Sequence, residues 1–228
     1  AITNEWKLPC LRIDASKIFS MFIGSSEANV KSVLNLAESI APCCLHWDEC
    51  DDFFSGSESS SQSDGGTTSR VIGIISTWMS EHQGMVFNIF TANDISKRPP
   101  KLFRKGRLDE IFIVELPVES ERKDIFRIHI DKRRSKGYAE KYVNLDILAK
   151  ESKMFSGAEI KAAVNNGFIT AFNQNMRDVQ TEDILEAIRN TIPISCTMKE
   201  KLIEIRKWQE GRAVRASDNK PEDIIDVE

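Results

Sequence analysis

The run Cys43-Cys44-Leu45-His46-Trp47 constrains this chain more than any other stretch. It follows Pro42 and stops abruptly in Asp48-Glu49, with Asp51-Asp52 just beyond. A short, mostly apolar run bounded by turn signals reads as a buried strand, although periodicity alone leaves a buried helix open. Taken as a strand, it carries two carboxylates at its carboxyl end, where open α/β sheets place their ligands. One carboxylate there can hold a magnesium ion through its water shell, and its neighbour can polarise an attacking water. A lone Asp-Glu pair describes a solvated acidic turn equally well, so the elements that follow must decide.

Bulk properties narrow the choice. At 228 residues the chain has room for one large domain or two small ones. Its 41% hydrophobic and 29% charged residues are ordinary for a globular protein. A net charge of −4 and a pI near 5.6 give no electrostatic case for binding nucleic acid. No apolar stretch reaches the roughly 20 residues that span a bilayer, so no membrane association is expected. No secretory signal opens the chain, which makes a reducing compartment the default. The five cysteines are odd in number and show no Cys-x-x-Cys spacing; they read as small buried apolar residues. Ala1 to Trp6 looks like the end of a helix already under way, and the chain is expected to be a piece of a longer protein.

Taken in order, Leu8 to Asp14 reads as a strand with Leu11 and Ile13 inward, after a helix closed by Pro9. Ala28 to Ile40 has apolar residues at helical spacing, through Val30, Val33, Leu34 and Ala37. Ser55 to Ser69 is rich in Ser and Gly and is expected to be a flexible loop. Arg70 to Glu81 is again helical. Met85 to Phe90 is a strand ending in the polar turn Thr91-Ala92-Asn93. A short helix from Pro99-Pro100 breaks at Gly106 inside Arg104-Lys105-Gly106-Arg107, and Ile111 to Val114 makes a further strand. From Ser120 the pattern is all helical, and Ser156 with Glu159 has the spacing of a capping box. The expected division is an α/β layer over 1–117, a small helical domain over 118–212 and a disordered charged tail over 213–228.

This order of an acidic strand, a polar-ended strand, an Arg-x-x-Arg turn and a helical segment with Ser156-Gly157-Ala158 resembles the AAA family of ATPases. The likeness covers nearly the whole chain. It is strongest to the AAA ATPase encoded in algal plastid genomes and cyanobacteria, on Ser69-Arg70-Val71 to Thr77-Trp78, Leu102 to Phe112 and Thr197 to Trp208. The resemblance implies a P-loop NTPase-type α/β layer followed by an all-helical lid. It implies ATP and Mg2+ as cofactors and a homo-oligomeric ring, a hexamer, that remodels a polypeptide partner in the cytoplasm or plastid stroma.

The family roles carry over position by position. Asp48 would order the metal and Glu49 activate water, the two acids of a Walker B strand. Asn93 stands at the sensor-1 position, where a short amide orients the lytic water; Asn is also an ordinary turn residue. Arg104 and Arg107 match paired arginine fingers, whose planar, always-charged heads suit a transferring phosphoryl group and can come from a neighbouring subunit. Phe22 sits where the family carries a pore loop that grips polypeptide; it serves equally well as a core residue. Ile125 and His129 fall in the family's Ile-x-x-x-His pattern near the base or ribose. Gly157 and Ala158 match the small residues that let the lid helix approach the nucleotide.

One departure matters. No Gly-x-x-x-x-Gly-Lys-[Ser/Thr] loop occurs in the chain, and phosphate binding depends on that loop's amides and lysine. The loop is expected upstream in the parent protein, so these residues alone should bind ATP weakly and be inactive. A non-hydrolysing AAA-like scaffold is the alternative function. A DNA-associated clamp loader is disfavoured by the acidic charge and by the lack of a sensor-2 arginine.

Overall fold

The computed structural model describes residues 2–14, 26–51, 66–82, 84–93, 102, 106–209, 211–217 and 219. The chain divides into two compact units, Ala1–Glu110 and Ile111–Glu228.

The first unit is built on a three-stranded parallel sheet in the order β1-β2-β3. Its strands are β1 (Cys10–Asp14), β2 (Cys43–Asp48) and β3 (Val86–Phe90). The apolar run is therefore the central strand, and its near-continuous hydrophobicity is what a strand flanked on both sides and covered above requires. Register pairs Asp14 with Asp48, and Trp47 with Phe90, so the acidic end of β2 lies level with the ends of both neighbours. Among the described residues this unit has the helices α1 (Ile2–Trp6), α2 (Ser26–Ser39) and α3 (Thr67–Glu81). Alternation along β2 sends Cys43, Leu45 and Trp47 to one face, where they pack with Val30, Leu34 and Ala37 of α2 and Val71, Ile72 and Ile75 of α3. Trp47 stacks on Phe90, ring planes 2° apart, and its indole N–H donates to Asn88 Oδ1. On the other face Trp6 meets the partly exposed Phe87 edge-on.

Helix α3 starts at Thr67, not after Ser69. Composition alone puts Thr67 to Ser69 in the loop, but they form the first turn of the helix, and Thr68 is buried. Residues 55–65 of that Ser/Gly stretch lie outside the described residues, as does the expected helix after Pro99-Pro100 apart from Leu102.

The second unit comprises α4 (Glu119–Asp131), α5 (Tyr138–Tyr142), α6 (Leu145–Glu151), α7 (Gly157–Asn173), α8 (Thr181–Arg189), α9 (Ile194–Thr197) and α10 (Lys199–Gln209). Its core joins Phe126 and Ile130 of α4, Leu148 of α6, Ile160 and Val164 of α7, and Ile184 and Ile188 of α8. Gly167 lets α7 and α8 touch, since a Cβ there would stand 2.7 Å from Ile184 Cγ1 and 3.2 Å from its backbone. The capping box at α7 forms as expected, with Ser156 N–H donating to Glu159 Oε2 at 2.7 Å. Glu159 also accepts from Ile194 N at 2.6 Å, which ties α9 to the same cap.

Strand β4 is two residues long (Phe112–Ile113) and pairs in parallel with β5 (Val214–Arg215). Both strands fall in the second unit. The described part of the tail, 213–217 and 219, is held by backbone bonds from Val214 N to Ile111 O (2.8 Å) and Ala216 N to Ile113 O (2.9 Å). A charged composition concealed a short strand whose partner lies about a hundred residues upstream.

Candidate functional site

The carboxyl edge of the sheet gathers polar groups from all three strands. Asp48 ends β2, and Thr91, the first residue past β3, donates its hydroxyl to Asp48 Oδ1 at 2.6 Å. Arg12 of β1 donates from Nε to Asp48 Oδ2 at 3.0 Å and also from Nη2. His46 Nε2 lies 3.4 Å from Thr91 Oγ1 and 3.7 Å from Asp48 Oδ1. The Thr91 hydroxyl first, and then Arg12, hold the Asp48 carboxyl below the usual carboxylate range, so it is ionised at neutral pH. Asp48 in turn raises the Arg12 guanidinium above its ordinary value.

Glu49 follows with φ at +55°, the left-handed region that non-glycine residues seldom enter. Strain of this kind costs about 1–3 kcal/mol and persists only where the surroundings fix it. Here both flanks are pinned to Thr91. Thr91 N donates to Trp47 O at 2.9 Å, and Cys50 N donates to Thr91 O at 2.9 Å. Glu49 is thus thrown out of the strand's alternation and exposed, while Cys50 behind it is fully buried, its thiol pushed up to about 12 by burial.

Asn93 is fixed by Asp51, whose Oδ1 accepts Asn93 N at 2.7 Å and whose Oδ2 accepts Asn93 Nδ2 at 3.3 Å. The structure therefore links Asn93 to the β2 end two residues beyond Glu49. Arg107 is held elsewhere in this unit, its Nε donating to Ser80 Oγ near the end of α3 at 3.0 Å. Arg104 and Phe22 lie outside the described residues.

In the second unit, Ile125 and Gly157 come together: a Cβ on Gly157 would touch Ile125 Cδ1 at 3.8 Å, and both line one cavity. His129, one turn along α4, is half-buried and does not line that cavity. Burial chiefly, helped by Lys161, Lys132 and Arg133, holds its imidazole below the ordinary value. Ala158 is exposed beside Gly157.

Sequence reasoning missed Thr91, Arg12 and Asp51 as partners of the acidic edge. Their signal was the register, since Thr91 and Asp51 sit just past strand ends and Arg12 lies mid-strand opposite His46, but register could not be fixed before the strands were paired. It also missed Arg122, buried in α4 with its Nε on Ala149 O and a terminal nitrogen on Pro117 O.

The donor set suits a hard, hydrated cation held mainly by phosphate and water. Mg2+ usually takes only one or two carboxylates from a protein, and Asp48 is one ionised carboxylate with a hydroxyl beside it. Among the described residues no group of three His, Cys, Asp or Glu could cage a metal. No helix of the described residues is long and apolar enough to cross a membrane.

Residues 1–116 match the ATPase family associated with various cellular activities, AAA. The chain is 40% identical over 215 residues to the uncharacterised AAA domain-containing protein ycf46 of Guillardia theta, which covers 94% of this chain and 42% of that protein. It is 42% identical over 218 residues to the ycf46 protein of Pyropia yezoensis, covering 95% and 43%. The corresponding protein of Trieres chinensis is 36% identical over 220 residues, 96% and 43%. The chain thus spans less than half the length of these relatives. Parallel strands with acids at the carboxyl edge are a P-loop NTPase-type arrangement, and the chain belongs to the AAA family of ATPases.

Proposed function

We propose that this chain supplies the water-activating edge, an arginine finger and the lid of an ATPase that works as a ring, a hexamer, and remodels a protein partner. The observation that carries the reading is the left-handed Glu49, pinned on both sides to Thr91 between Asp48 and the Asp51–Asn93 pair. Glu49 is the general base that takes a proton from the attacking water. Asn93, immobilised by Asp51, holds that water in line. Asp48 and the Thr91 hydroxyl receive Mg2+, which would neutralise charge on the phosphates. Arg107, which Ser80 positions from within the chain, serves a neighbouring subunit. Arg104 shares that role, and Phe22 contacts the threaded polypeptide. Ile125 and Gly157, with His129 and Ala158 nearby, take the base and ribose. Phosphate cradling needs a loop that these 228 residues do not contain, so hydrolysis is proposed for the longer protein. The plastid-genome relatives suit a plastid stroma.

One observation favours the non-hydrolysing scaffold instead. Arg12 already neutralises Asp48 from within the chain, as it would where no cation binds.

Subunit mixing separates the two. In a chain extended upstream through a phosphate loop, Glu49→Gln and Arg107→Ala subunits should each lose hydrolysis, by roughly 10²-fold or more for the base and on the order of 10³-fold for the finger. Mixed, they should regain activity, because Glu49→Gln subunits lend intact arginines to intact sites. Co-assembled mixtures that stay inactive would remove the finger in trans, unchanged activity in both variants would remove both assigned roles, and no hydrolysis by the unsubstituted extended chain would leave the scaffold.

A further inference from the structure

The start of β1 brings two thiols together on the face of the sheet that carries Asp48. Register sets Cys10 opposite Cys44, at the far end of the ladder that closes on Asp14 and Asp48. The backbones are joined there, since Cys44 N donates to Pro9 O at 2.8 Å. Side chains alternate along a strand, so opposed residues share a face, and Arg12 reaches Asp48 on that same side. Cys43, although adjacent in sequence, turns the other way, where its Sγ donates to Ala37 O at 3.3 Å. Paired strands run about 4.7–4.9 Å apart. A disulfide joins Cα atoms about 4.4–6.8 Å apart, so the spacing suits a bond.

Both thiols are free, and they differ in access. Cys10 is exposed, against the expectation of a buried apolar residue, while Cys44 is fully buried. Burial first, and then the charge and hydrogen bond of the Cys10 thiol, push Cys44 up to about 11. Cys44 is thus closed to a reagent from solvent but in contact with a thiol that such a reagent can reach. Cys50 is buried with its thiol on Trp47 O, and Cys196 belongs to the second unit.

We propose that Cys10 and Cys44 form a reversible dithiol–disulfide site whose oxidant is a small disulfide of the glutathione type, with Cys10 as the entry thiol and Cys44 as the resolving thiol. The Cys10 thiolate attacks one sulfur of the small disulfide; that S–S bond breaks, and one small thiol leaves with the electron pair and the Cys10 proton. The Cys44 sulfur then attacks the Cys10 sulfur, the mixed disulfide breaks, and the second small thiol leaves with the Cys44 proton. The protein dithiol loses two electrons and the small disulfide gains them, so no further reactant is needed. The second step is intramolecular, and that proximity offsets the high proton affinity of Cys44. The bond pins β1 to β2 on the strand that presents Arg12 to Asp48.

The test uses the 228-residue chain carrying Cys196→Ser, incubated with oxidised glutathione, quenched in acid and weighed intact by mass spectrometry. It should end two hydrogens lighter with no glutathione attached, and a dithiol reductant should restore its mass. Adding Cys44→Ser should instead leave one glutathione held on Cys10, because the entry thiol has lost its resolving partner. Adding Cys43→Ser should change nothing, since that side chain faces away. Adding Cys10→Ser should abolish both the loss of hydrogens and the uptake of glutathione; the position is exposed, so this variant decides even where Cys44→Ser does not fold. A Cys196→Ser chain that keeps glutathione on Cys10, or that does not react, would overturn the site. A disulfide that survives in Cys10→Ser or Cys44→Ser, or that is lost in Cys43→Ser, would place the bond between other cysteines and overturn it equally.

Discussion

The two units solve opposite problems with their charged residues. In the second unit, charge is used to close the structure. Arg122 is buried against two carbonyls, and Asp183, only 7% exposed at its side chain, is gripped by Arg177 through both oxygens at 2.6 and 2.7 Å. In the first unit the charged groups stand at the open edge of a sheet, where Arg12 is 71% exposed while it holds Asp48. Polar groups spent inside a core fix one packing arrangement, whereas the same groups at a sheet edge stay available to a ligand. The lid is thus self-sufficient, and the sheet edge is organised but not saturated.

The largest expected effect breaks the closed unit. Phe126 is fully buried among helices α4 to α8, and Phe126→Ala should destabilise the second unit by about 3–5 kcal/mol, read as a lower midpoint in urea. If the comparison is right, signals from Trp47 in the first unit should respond far less than those of the lid. A common loss of both units would show that the lid is not self-sufficient.

A smaller effect sharpens the picture of the edge. Thr91→Val removes the hydroxyl that contributes most to holding Asp48 down, so its carboxyl should move up toward the ordinary 3.8. Arg12→Ala, which removes both a hydrogen bond and a positive charge, should move it in the same direction. A folded-state value held low gives stability that is present above the ordinary value and lost as pH falls through the folded one, so both variants should narrow that acid-sensitive window. Carboxyl NMR titration measures it, and an Asp48 carboxyl that stays in place in both variants would contradict the assignment.

How far the sequence foretold these regions follows from how local each feature is. The acidic end of β2, the helical stripe of α2 and the Ser156–Glu159 cap depend on neighbours within a few residues, and all appeared where periodicity and capping rules put them. Thr91 against Asp48, Asp51 against Asn93 and β5 against β4 depend on chain segments brought together only by folding. The left-handed turn at Glu49 was likewise illegible, because nothing in Asp-Glu-Cys demands a positive φ; it comes from the two backbone bonds to Thr91.

The smallest predicted effect lies in the lid. His129 is held below its ordinary 6.5, so between the two values the unfolded chain binds more protons than the folded one and stability rises with pH. The contribution is whole above 6.5 and is lost as pH falls from there through the folded value. His129→Gln should flatten that part of the stability profile, and an unchanged slope would place the titration elsewhere.

The most direct test of the central claim is hydrolysis by Glu49→Gln in a chain extended through a phosphate loop. The substitution keeps the shape of the side chain and removes the basic carboxylate. With Glu49 as general base, ATP should still bind with little change while turnover falls by roughly 10²-fold or more. Turnover close to that of the parent would contradict the claim and make Glu49 a strained surface acid at the end of a strand.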